Sequence, residues 1–153
     1  MTLTGKFLLA TLATLGLTVG TSHAQSWFPR PTPTDNGRSG RIDRLAVRLE
    51  QQTREFNREV DTHYRNTPVY RHLENDVDDL VRLADHIHDV AHGTRERRHL
   101  RDDVNRFERQ LQHIENLVDR LPRLCGADRT TVQHLRREIN RLEDAVNDLQ
   151  RAL

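Results

Sequence analysis

The chain has 153 residues, of which 31% are charged and 35% hydrophobic, with 24 basic side chains against 23 acidic ones. So even a balance leaves no net field to draw the protein onto nucleic acid or an anionic membrane. No CxxCH motif is present, which excludes covalent haem attachment, and no P-loop or glycine-rich phosphate loop appears.

At the N-terminus, Thr2 to Thr4 lead to Lys6, the sole lysine, and an apolar run follows from Phe7 through Val19. Ser22-His23-Ala24 then offers a small-x-small cleavage site, so residues 1–24 read as a Sec-type signal peptide cut after Ala24. The apolar run is shorter than the roughly 20 residues that span a bilayer, and no cysteine stands at the cleavage site to take a lipid. No later segment is apolar enough to span. The expected location is the periplasm or the exterior of a bacterial cell. Loss of Lys6 leaves 23 arginines against 23 carboxylates, a formal charge of zero.

Residues 25–40 read as a tether. Pro29, Pro31 and Pro33 favour an extended backbone, and Asn36-Gly37 and Ser39-Gly40 are turn chemistry. Trp27 and Phe28 at its start are adjacent aromatics with no assigned role.

From Arg41 to Leu153 the apolar spacing predicts four amphipathic helices. The first carries Ile42, Leu45, Leu49, Phe56 and Val60, interrupted at Gln52 or Thr53. Asn66-Thr67-Pro68 ends it, with Thr67 as N-cap and Pro68 in the first turn of the next helix. That second helix carries Tyr70, Leu73, Val77, Leu80, Ala84, Ile87 and Ala91, and stops at Gly93. Thr94 can cap a third, which carries Leu100, Val104, Phe107, Leu111, Ile114, Val118 and Leu121 up to a stop at Pro122. Cys125-Gly126-Ala127 reads as loop. Asp128 or Thr130 caps a fourth, with Val132, Leu135, Ile139, Leu142, Val146, Leu149 and Leu153 on its stripe.

The first two connections are short enough to make consecutive helices antiparallel neighbours. The expected fold is therefore all-α, an up-down-up-down four-helix bundle over residues 41–153. Completion of the core by self-association is the alternative, since sustained heptads also allow it.

Catalytic chemistry has little support. A ferritin-like di-iron site needs two E-x-x-H motifs and two further glutamates, and Glu96-Arg97-Arg98-His99 is the lone example, with His99 off the apolar stripe. The L-T-x-x-Q signature of the small helical periplasmic chaperones is absent as well. No nucleophile has a base at a plausible spacing, so the chain reads as non-enzymatic.

Three features rise above this background. At about 100° per residue, Asp85, His88 and His92 share one flank of the second helix, where two imidazoles and a carboxylate can converge on a divalent metal. Folding back across Gly93 would bring His99 near as a further ligand. The same corner holds Arg95, Arg97, Arg98 and Arg101 at a helix N-terminus, where the helix dipole ordinarily prefers acids. Guanidinium groups and free amides there would hold an anion, unless the six carboxylates of the second helix neutralise them.

The second feature is Cys125, a lone thiol in an exported chain, placed for an intermolecular disulfide. The third is His63, in phase with Leu45 on the first stripe, with His72 and His134 near the same end. The leading expectation is a structural or protein-interaction module of the cell envelope, its partner another protein or a second copy. The alternative is a weak metal- or anion-binding protein built on the corner between the second and third helices.

Overall fold

The computed structural model describes residues 33–93 and 97–153. Residues 1–24, Trp27, Phe28, Thr94 and Arg95 lie outside the described residues. Four α-helices and no strand make up the rest: α1 (Pro33–Tyr64), α2 (Tyr70–Gly93), α3 (Arg97–Cys125) and α4 (Arg129–Ala152). The all-α expectation holds. α1 and α3 each pack against both α2 and α4, and among the described residues no backbone of a diagonal pair approaches as closely. No helix of the described residues is long and apolar enough to cross a membrane.

The 4/3 spacing of apolar residues becomes the core directly. On α2 the buried residues are Leu73, Val77, Leu80, Ala84, Ile87 and Ala91. α3 buries its whole expected stripe, joined by Leu117 and by one carboxylate, Asp103. α4 does the same, with Ala145 and Ala152 added, and Leu153 closes the stripe at the C-terminus. Phe56 and Phe107 are the largest wholly buried side chains, and the surrounding core is almost entirely aliphatic.

Thr53 does not interrupt the stripe of α1 but continues it between Leu49 and Phe56, fully buried. Its hydroxyl donates to the Leu49 carbonyl one turn back at 2.8 Å, so the core receives a β-branched side chain without an unsatisfied polar atom. Asp128 caps α4 as expected, accepting from the Thr131 amide at 2.7 Å.

Several boundaries differ from the sequence reading. α1 begins at Pro33, inside the segment read as tether. Proline is tolerated in the first turn of a helix, whose leading amides have no intrahelical acceptor. The long packed helix that follows extends cooperatively through Gly37 and Gly40, although each costs about 1 kcal/mol relative to alanine. α2 begins at Tyr70, two residues after Pro68. Thr67 does not serve as its cap: the hydroxyl turns back to close α1, donating to the Tyr64 carbonyl at 2.6 Å.

α3 does not stop at Pro122 but runs one further turn to Cys125. Pro122 sits exposed in that last turn, where one missing amide costs little. The reversal comes at Gly126, whose φ of 71° is left-handed and which brings the Ala127 amide to the Leu121 carbonyl at 3.5 Å. Cys125 is therefore the last residue of a helix, half-buried against the core. Its Sγ donates to the Leu121 carbonyl at 3.3 Å.

Phe107→Ala, which empties the centre of the core, is expected to lower stability by about 3–5 kcal/mol in urea unfolding. Leu124→Ala, at a position 50% exposed, should change it by less than about 0.5 kcal/mol. Equal effects would mean that the stripe of α3 does not face a core.

Candidate metal centre

Ile87 on α2 is wholly buried. The residues on either side of it, His86 and His88, are turned by about 100° in opposite senses around the helix. His88 meets α1 and His86 meets α3.

On the α1 side, one ligand atom from each of Asp43, His88 and His92 lies within 4.8 Å of the others. His92 Nδ1 stands 3.1 Å from Asp43 Oδ1, and the two imidazole rings are 5.2 Å apart, tilted by 30°. His88 is half-buried, and its Nδ1 is in close contact with the Glu50 carboxylate. In the neutral ring, that contact favours the tautomer with its proton on Nδ1 and the lone pair on Nε2. Nε2 is itself buried and has no hydrogen-bond partner, and the same is true of Asp43 Oδ1. A carboxylate behind an imidazole, fixing its tautomer so that the opposite nitrogen faces inward, is the usual support of a metal-bound histidine.

Glu50 is held in turn by Arg54 at 2.8 Å. Arg54 also donates to Asp85 at 3.1 Å, and that hydrogen bond, followed by the charges of Asp85 and Glu50, pushes its guanidinium above the ordinary value.

The expected set of Asp85, His88, His92 and His99 is thus brought together only in part. His88 and His92 converge, but Asp85 is engaged by Arg54, and Asp43 supplies the carboxylate. His99 lies with His86 and Asp103, the one other group of three potential ligands among the described residues. Asp43 and Glu50 escaped the sequence reading because they stand on another helix. The available signal was their position, seven residues apart and each adjacent to a core residue, Ile42 or Leu49.

Arg95 of the arginine cluster lies outside the described residues. Arg97 and Arg98 are exposed in the first turn of α3. Arg101 reaches α4, donating to the Leu153 carbonyl at 2.5 Å. A guanidinium at a helix C-terminus meets the negative end of the dipole, so Arg101 closes α4. His63 is exposed, and Tyr64 takes the buried place beside it. His63 and His134 each approach Glu59 Oε2 at 3.3 Å, while His72 is exposed.

Acidic groups also gather between α3 and α4, where Glu108, Leu111, Gln112, Glu143, Val146 and Asn147 line a groove of about 250 Å³. Burial pushes the Glu143 carboxyl above its ordinary value of 4.5, and the charges of Glu115, Asp144 and Glu108 push it the same way. A carboxyl with a raised folded-state pKa favours folding while protonated, and that contribution is lost as pH rises through the raised value. Glu143→Gln should therefore stabilise the protein at pH 7, by a few tenths of a kcal/mol at a partly solvated site. In thermal melts the gain should vanish below the ordinary value of 4.5.

The chain matches no protein-family model, no curated protein and no solved structure.

Proposed function

We propose that the chain is an exported, non-enzymatic, up-down-up-down four-helix bundle that binds a divalent transition metal through Asp43, His88 and His92. Export rests on the signal-peptide pattern of residues 1–24. The antiparallel topology is supported by pairs that run in opposite chain directions: Asp43 with His92 and Arg54 with Asp85 between α1 and α2. Asp76 with His113 and Asp103 with His86 do the same for α2 and α3. Arg48 with Asp148 and Glu59 with His134 extend the pattern to α1 and α4.

The single observation that carries metal binding is the buried, unpartnered Nε2 of His88, with Glu50 behind the opposite nitrogen. A buried polar atom without a partner costs about 1–3 kcal/mol. Here His88, Asp43, whose Oδ1 meets only His92 Nδ1 at 3.1 Å, and His92 each offer one ligand atom within 4.8 Å of the other two. A cation satisfies all three together. Sequence alone ranks a structural or interaction role first, and these unsatisfied ligand atoms move metal binding ahead of it.

Two imidazoles and a carboxylate suit Zn²⁺, Cu²⁺ or Ni²⁺ rather than Ca²⁺ or Mg²⁺, which prefer oxygen ligands. With only three protein ligands, open positions remain for water or for a donor on a partner.

Zn²⁺ at a hundredfold excess over its Kd should stabilise the fold by about 2.7 kcal/mol, read as a rise in Tm of the tag-free protein. His88→Ala should remove the contribution of this site. Glu50→Gln, which leaves all three ligands in place, should weaken binding there at least about tenfold. Imidazole must be neutral to ligate, so affinity should fall as the medium is acidified. Unchanged Zn²⁺ affinity and stoichiometry in His88→Ala would overturn the proposal.

A further inference from the structure

We infer that His86, His99 and Asp103 form a second divalent-metal site, on the flank of α2 opposite the first. The inference stands on different residues and goes beyond the function proposed above.

Asp103 is the starting point. It is the sole charged residue of the described chain that is buried, at 8% exposure, and its Oδ2 has no hydrogen-bond partner. A carboxylate in an apolar setting ordinarily finds a donor or an opposite charge. Two imidazole nitrogens face this oxygen at ion-pair distance, neither in hydrogen-bonding geometry. His99 Nε2 lies at 3.3 Å from the next turn of the same helix, and His86 Nε2 at 3.5 Å from across α2. The two rings meet edge to face, with centroids 5.6 Å apart and planes at 83°, so they reach the oxygen from different directions.

The spacing is informative. Charge-assisted N–H···O bonds close to about 2.7–2.9 Å, and neither imidazole comes so near. Two ligand atoms each about 2.0–2.1 Å from a tetrahedral zinc stand about 3.3 Å apart. The separations around Asp103 admit a small cation between these atoms, although His–carboxylate pairs at Glu59 stand equally far apart; what distinguishes Asp103 is its burial and the third ligand within reach. His86 and His99 are each half-exposed, which leaves a route from solvent for the ion and room for water to complete its shell. The donor set again selects a transition metal, with Cu²⁺ held most tightly along the divalent series.

The placement gives the site a role of its own. His86 belongs to α2, while His99 and Asp103 belong to α3, so an ion here joins the two helices on either side of residues 94–96. The Asp43/His88/His92 site joins α1 to α2. Occupied together, the two sites clasp α2 from both flanks at adjacent turns.

The test is a stoichiometric Zn²⁺ titration of the tag-free full chain at pH 7.5, by competition with a chromophoric chelator. The wild type is expected to bind two equivalents. His99→Ala should bind one, His92→Ala should also bind one, and the double variant none. Asp103→Asn should weaken a single equivalent at least tenfold. His99 is half-exposed and His92 more so, so helical circular dichroism should be unchanged in all four proteins. A wild-type stoichiometry of one that His92→Ala takes to zero overturns the second site and leaves the first. A stoichiometry of one that His99→Ala takes to zero leaves the second and removes the first. Two equivalents retained by His99→Ala overturn the inference outright.

Discussion

The burial of Ile87 organises everything of chemical interest in this protein. Because its side chain occupies the core completely, the helix cannot rotate, and the residues before and after it have no freedom of direction. One turns to α3 and the other to α1. An apolar constraint thus aims two imidazoles at two different neighbours, each of which contributes a carboxylate. The histidines would be ordinary surface residues on an isolated helix. Packing makes them convergent.

The edge of the core contains two kinds of polar group, and they differ in how they are satisfied. Thr53 is as deep as any leucine, yet its hydroxyl finds the carbonyl of Leu49 in its own helix. Its burial is a local matter, complete before any other helix arrives. Asp103 and Asp43 have no such solution, because a carboxylate only accepts, and the carbonyls around it in a helix only accept as well. Their oxygens depend on side chains: Asp43 on His92 of α2, and Asp103 on His99 one turn away and His86 of α2. The arginines, abundant elsewhere, are engaged at other points: Arg54 with Glu50 and Asp85, Arg136 with Asp119, Arg101 with the end of α4.

How far the sequence could be read follows from which interactions are local. The stripes of α2, α3 and α4 were legible residue by residue, since a 4/3 spacing is a property of one helix. So was the Asp128 cap, which reaches three residues along its own chain. The partners of His88 and His99 were not, because Asp43, Glu50 and His86 reach them only through the register between helices, which no single stripe specifies. His63 shows a subtler limit. It does share the direction of Leu45, eighteen residues or five turns away, but Leu45 is itself only half-buried, so that direction marks the margin of the stripe. Pro122 failed as a stop signal for a different reason: a missing amide matters little in a last turn whose closure is set further on.

That closure depends on Gly126. Its φ of 71° lies where an L-residue brings its Cβ against the following carbonyl. Yet a Cβ built at this position meets nothing within 4 Å. The restriction at the corner between α3 and α4 is therefore one of handedness and not of volume. A methyl group would find space there, but only as the mirror-image residue, D-alanine, would it match the backbone without strain.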